Sequence, residues 1–190
     1  LPAPTIAYDL ARIVGREVDT NDPLEVLALS AGFGVAMVKQ VEDALIAAEV
    51  RAVERSIATA GGVESVRACL DAGLPAGIVS NNSALAISAF LARWGLLDKV
   101  KPLVGRAYLH PEWMKPNARP LNQALDGLGC LPGDTVFVGD SDTDIEVAQA
   151  VGVPCVAYAN KPGKRERFTA TGVAVVDSMW EVVAAIQERT

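Results

Sequence analysis

Residues 136–154 read VFVGDSDTDIEVAQAVGVP. Asp140, Asp142 and Asp144 fall within five positions, directly after an apolar run. Asp140 ends a strand-like segment behind Gly139. Asp144 lies four positions on, one turn into the following helix, so both carboxylates can face one crevice. Hard oxygen ligands placed this way suit Mg2+, which keeps several waters and adds a substrate phosphate. An ordinary helix start, with acids favoured in its first turn, explains Asp142 well but Asp140 poorly.

Two more stretches could handle a phosphate. In GIVSNNS, Ser80 and Asn81 stand where a strand gives way to a helix. A hydroxyl and free backbone N–H groups there can hold an anion, or serve as a plain N-cap. In HPEWMKPNARP, Lys115 sits in a loop ahead of Pro116, which keeps the preceding backbone extended. Its amine can neutralise a phosphate and nearby carboxylates, or simply be solvated. Lys161, Lys164, Arg165 and Arg167 form a basic patch on the same rim, suited to steering anions or to a solvated helix start. Gly32 and Gly34 follow no strand, so they read as a bend between helices. His110 is the only histidine, which argues against a His-rich zinc site.

These residues need a scaffold that gathers strand ends on one edge. From Gly61 onward, strands at 76–80, in VKPLVGR, at 135–139, at 153–158 and in GVAVVD alternate with helices. Short buried strands alternating with helices predict a parallel sheet covered on both faces. In such sheets ligands bind beyond the carboxyl ends of the strands. Residues 1–60 show no strand. Ile6, Leu10, Ile13 and Val14 share one helical face, Asp22 before Pro23 starts a second helix, and an Ala-rich third follows. The predicted architecture is α/β: a three-layer Rossmann-like parallel-sheet core at 61–190 and a small all-helical cap domain at 1–60.

Composition narrows the partners. The 190 residues are 51% apolar and 21% charged, with a net charge of −6. An acidic chain with few aromatics is a poor sequence-blind nucleic-acid binder. No apolar run has the length of a membrane span and no signal peptide is visible, so a cytoplasmic monomer or homodimer without membrane partners is expected. Cys69, Cys130 and Cys155 are odd in number and sit in apolar settings, which reads as buried reduced thiols.

The order of the motifs resembles the haloacid dehalogenase superfamily. A strand ending in Ser80-Asn81 is followed by Lys115-Pro116, then by Gly139-Asp140-Ser141-x-x-Asp144 with Ala148 and Gly152 behind. The branch it looks most like holds phosphoglycolate phosphatase and beta-phosphoglucomutase and carries a helical cap. The resemblance implies a Mg2+-dependent phosphohydrolase acting on a small phosphorylated metabolite through an aspartyl-phosphate. Ser80 and Asn81 would bind the phosphoryl group. Lys115 would offset charge on phosphate and nucleophile. Asp140 would be a Mg2+ ligand, and Asp144 would help hold the metal or Lys115. The four residues Ser80, Lys115, Asp140 and Asp144 are expected to converge on one crevice. A phosphomutase, or a non-catalytic phosphate- or metal-binding protein on the same fold, is the alternative.

One part of the pattern is absent. The family carries D-x-D-G-[TV] on its first and central strand, and the first aspartate is the nucleophile. Asp9, in a helical pattern, is a poor substitute. The sheet is therefore expected to lack its middle strand, between 76–80 and 135–139, and residues 1–190 to lack turnover on their own. Leu1 in place of methionine, and a cap pattern that starts at once, lead us to expect that strand upstream in a longer parent.

Overall fold

The computed structural model describes residues 2–16 and 18–188. Three helices come first: α1 (Ala3–Val14), α2 (Pro23–Ser30) and α3 (Val35–Arg55). The apolar face of α1 buries Ile6, Leu10 and Val14 against Val26, Leu27, Val41 and Leu45. Ile13 is only partly buried. Asp22 caps α2, accepting from the Leu24 N–H at 2.9 Å, and Pro23 follows where its missing N–H costs nothing. Gly34 turns the chain into α3 at φ 90, a conformation that favours glycine.

From α4 (Gly62–Asp71) the chain alternates. β1 (Ile78–Ser83), α5 (Ala84–Arg93), β2 (Leu103–Arg106), α6 (Arg119–Leu128) and β3 (Phe137–Gly139) come in turn. Then follow α7 (Asp142–Val151), β4 (Cys155–Tyr158), α8 (Lys164–Thr169), β5 (Ala174–Val176) and α9 (Met179–Gln187). Every strand pair is parallel. Val63, Ile87 and Leu91 of α4 and α5 pack with Ile78 on one face. On the other, α6 and α7 pack Leu121, Leu125 and Val147 against Val79 and Phe137, and α7 and α8 cover β4 with Ile145, Ala148 and Phe168. This is the expected three-layer α/β arrangement. No helix among the described residues is long and apolar enough to cross a membrane.

β1 runs further than its sequence suggests. The sequence ends the strand at Ser80–Asn81, yet it continues to Ser83, which pairs with Arg106. The register slips between Val79 and Ser83. Such an irregularity re-aims side chains, and it falls on Ser80–Asn82.

The strands form two ladders, β1–β2 and β3–β4–β5. Among the described residues β1 and β3 do not pair with each other. Both nonetheless rest on the shared α6–α7 layer through Val79 and Phe137. Ile78 donates to Pro102 and Phe137 to Pro154. Alternate residues of a strand turn their N–H and C=O groups to opposite sides. Val79, Val136 and Val138 therefore present theirs to the unpaired side. A parallel strand is normally buried on both faces, but Val136 is 53% exposed and Val138 36% exposed. The molecule holds an open slot between its two ladders.

Denaturant unfolding of single variants tests the slot. Val138→Thr keeps the β-branched shape on an open edge and should change stability by at most about 0.5 kcal/mol. Leu121→Ala, cut from a side chain 2% exposed in the shared layer, should cost about 2–5 kcal/mol. Comparable losses would mean that the edge of β3 is covered.

Candidate functional site

The centre of the site is an ion pair across the slot. Lys115 Nζ donates to Asp144 Oδ1 at 2.5 Å and to the Val79 carbonyl at 3.3 Å. It also lies 5.6 Å from the centre of the Phe137 ring. The two side chains are only 10% and 6% exposed. Lys115 thus bridges β1 and the first turn of α7, beside Phe137 of β3.

Local chemistry brings Asp144 there. Ser141 caps α7, and its hydroxyl accepts from the Asp144 N–H. In return Asp144 Oδ2 accepts from the N–H groups of Asp140 and Ser141, at 3.1 and 3.0 Å, and from the Ser141 hydroxyl at 2.6 Å. This reciprocal box satisfies N-terminal donors that would otherwise be orphaned. Gly139 makes room for it. A Cβ there would sit 2.4 Å from the Asp144 Cβ, far inside contact distance.

The loop that carries Lys115 is held from β1. The Asn81 side chain accepts from the Lys115 N–H at 2.8 Å and donates to the Lys115 carbonyl at 3.1 Å. Asn81 therefore grips backbone. Ser80 lies between Val79 and Asn81, both of which touch Lys115, and its hydroxyl oxygen accepts from the Asn82 N–H at 3.1 Å. Ser80 lines a cavity of about 690 Å3 together with Ile6, Leu24, Glu49, Ile78 and Asn82. Lys115, Asp140 and Asp144 do not line it.

Asp140 takes different partners. Its Oδ2 accepts from Asn160 at 2.7 Å and from Lys164 at 3.1 Å, and its side chain is 52% exposed. Lys164 also meets its carbonyl. Among the described residues no ion pair joins Lys115 to Asp140; Lys115 goes to Asp144. The basic patch is largely neutralised: Arg165 pairs with Asp177 and Arg167 with Asp142.

The donors fit a hard divalent cation in part. Both Asp144 oxygens are in use, whereas Asp140 Oδ1 has no protein partner among the described residues. Those residues contain no group of three or more acidic, histidine or cysteine side chains arranged for a metal. Mg2+ needs only one or two protein carboxylates beside phosphate and water, so Asp140 suits one corner of such a site.

Three residues absent from the motif pattern stand directly behind it. The fully buried Arg106 side chain donates from Nε to Glu42 Oε1 at 2.7 Å, and from Nη1 to Glu49 Oε1 at 2.8 Å and the Asn81 carbonyl at 2.6 Å. Glu49 Oε2 accepts from the Ser83 N–H at 2.9 Å. Two carboxylates of α3 thus share one guanidinium at the end of β2. Glu42 Oε2 is buried without a hydrogen-bond partner among the described residues. Burial pushes the Glu42 carboxyl above its ordinary range, partly offset by the Arg106 charge.

Comparison with known proteins gives a consistent result. The family profile described as haloacid dehalogenase-like hydrolase matches residues 21–158. Phosphoglycolate phosphatase of Yersinia pseudotuberculosis is 34% identical over 84 residues, covering 44% of this chain and 35% of the relative. That of Rhodospirillum rubrum is 35% identical over 94 residues, covering 47% and 38%. The matches span about a third to two fifths of the length of these curated relatives. A mutant CbbY of Rhodobacter sphaeroides, solved with xylulose-(1,5)bisphosphate, shares the fold with a TM-score of 0.71 at 14% identity, over 93% of this chain and 87% of its own. A HAD phosphatase of Thermococcus onnurineus does so with 0.64 at 20%, over 97% and 87%.

The geometry separates the two acids by stability. Asp144→Ala strands a nearly buried lysine and empties the capping box, and should cost about 3–5 kcal/mol. Asp140→Asn removes a half-exposed charge and should cost under about 1 kcal/mol. Thermal unfolding of both variants decides, and a mild Asp144→Ala would sink the ion pair as the organising contact. Glu42 makes a pH prediction. With its folded pKa raised, the native state holds the Glu42 proton more tightly than the unfolded chain. Glu42 therefore costs stability as pH rises above the ordinary carboxylate range. Glu42→Gln should flatten that slope in unfolding measured across pH, and an unchanged slope would refute the assignment.

Proposed function

The chain belongs to the haloacid dehalogenase-like hydrolase family, and on that premise we propose that it works as a Mg2+-dependent phosphohydrolase on a small phosphorylated metabolite. The nucleophilic aspartate is supplied by a strand outside residues 1–190. The observation that carries this reading is the Lys115 amine, held 2.5 Å from Asp144 beside the strand end that bears Ser80. A fixed ammonium at the carboxyl edge of a parallel sheet is a place for an anion. The phosphatase names of the relatives support a phosphate ester as that anion.

Each residue has a task in this reading. The Ser80 hydroxyl donates to a phosphate oxygen. Lys115 offsets the charge of the phosphoryl group and of the attacking carboxylate. Asn81 and Asp144 hold Lys115 at its backbone and its amine. The helical unit α1–α3 acts as a cap that closes over the substrate and excludes water. Asp140 would hold Mg2+, which when bound stabilises charge in the in-line transfer. Covalent transfer needs a carboxylate in line with the phosphorus. Asp144 is committed to Lys115 and its cap, and Asp9 is exposed on α1. A strand seated between β1 and β3 would end beside Lys115 and bring that carboxylate. The same reading gives a cytoplasmic monomer or homodimer without nucleic-acid or membrane partners.

Among the described residues no uncommitted carboxylate contacts Lys115, which favours one second reading, a protein that binds phosphate without turning it over. One assay separates the two. Residues 1–190, and the same chain preceded by a strand bearing D-x-D, are compared for Mg2+-dependent phosphate release from small esters. We expect no release from the first and release from the second, with Asp140→Asn in the second lowering it by about a hundredfold or more. Turnover by residues 1–190 alone, or a fully active Asp140→Asn, would overturn the assignment of nucleophile or metal ligand. Silence from both chains would leave the binding protein.

A further inference from the structure

The Glu42–Arg106–Glu49 cluster sits where the helical unit meets the sheet. Glu42 and Glu49 project from α3, seven positions apart and so on one helix face. Arg106 ends β2, and the Asn81 carbonyl that it also holds belongs to β1. All three guanidinium nitrogens donate: Nε to Glu42, Nη1 to Glu49 and Asn81, and Nη2 to Glu49 at 3.4 Å. Its rigid planar fork fixes these partners in one arrangement, which the single ammonium of a lysine does not reproduce.

The contacts continue beyond the cluster. Asn81 receives Arg106 on its carbonyl and grips Lys115 with its side chain. Lys115 in turn grips Asp144. An unbroken line of charged and hydrogen-bonded groups therefore runs from α3 through β2 and β1 to the first turn of α7. Arg106 touches neither Lys115 nor Asp144. It is also more than a packing element, since the strand segment it holds is the irregular one that carries Ser80.

We propose that Arg106 is a positioning residue: by fixing the Asn81 carbonyl while bound to Glu42 and Glu49, it makes the placement of the Lys115 loop depend on the seating of α3. Seating of the helical unit and readiness of the lysine become one event. When α3 lifts, Arg106 loses both carboxylates, the Ser80–Asn82 segment loosens, and the Asn81 grip on Lys115 slackens. The lysine counts as phosphate-facing only under the function proposed above. Its placement can be measured without turnover, so an inactive protein leaves this test intact.

The measurement is amide hydrogen exchange, resolved by NMR, on the full 190-residue chain. The Lys115 N–H donates to Asn81 Oδ1 and reports the grip. The Phe137 N–H, bonded to Pro154 in the other ladder, reports overall opening. Deleting Arg106 alone would strand two buried carboxylates, so the cluster is replaced whole, as Glu42→Leu, Glu49→Leu and Arg106→Met together, because complete replacement of a buried ion cluster is generally tolerated. Exchange at Lys115 should rise roughly three- to tenfold relative to Phe137, the change expected from losing about one ordinary hydrogen bond. Asn81→Ala, which leaves the cluster in place, sets the scale by cutting the grip directly. If Lys115 is exposed in Asn81→Ala but stays protected in the triple variant, Arg106 is structural only and the proposal fails. Should the triple variant not fold, Arg106→Lys takes its place: faster Lys115 exchange supports the coupling, and unchanged exchange overturns it.

Discussion

The contact on which the rest of the molecule depends is the pair between Lys115 and Asp144. Each partner is rooted on a different ladder. Lys115 is held by Val79 and Asn81 of β1, and Asp144 by the capping box behind β3. Their 2.5 Å contact ties the carboxyl edges of two ladders that share no strand pairing. It is a nearly buried pair, so its value lies less in net attraction than in the penalty for misplacing either group. Neither charge can leave without stranding the other. The geometry of the edge is thereby confined to one arrangement.

Much of this edge is legible in the sequence, because its signals are short-range. Ser141 and Asp144 are three apart and form a capping box. Gly139 precedes them because nothing larger fits beside Asp144. Asp22 announces a helix start, and it accepts the backbone bond expected of it. In each case the chemistry is complete within a few residues, so spacing alone is informative.

The Arg106 cluster is not legible, for the opposite reason. Arg106 and its partners lie 64 and 57 positions apart. On α3, Glu42 and Glu49 read as part of the charged, solvated side of an Ala-rich helix, and only the fold turns that side inward. Arg106 in VKPLVGR looks like the polar end of a weak strand. The extension of β1 was hidden in the same way. Asn82 and Ser83 carry turn- and cap-forming residue types, and the strand reaches them through the pairing of Ser83 with Arg106. Lys164 shows the converse. Sequence placed it in a basic patch, whereas its amine is taken up by Asp140.

The division of the apolar core has a bearing on cooperativity. β1 and β2 own a core with α4 and α5, while β3, β4 and β5 own another with α7 and α8. The α6–α7 layer, the lysine–aspartate pair and the packing of α9 on α4 span both. The two ladders are therefore joined through helices and one ion pair, with no backbone pairing between them among the described residues. A strand seated in that slot would add backbone pairing to both ladders and so couple the opening of one core to the opening of the other.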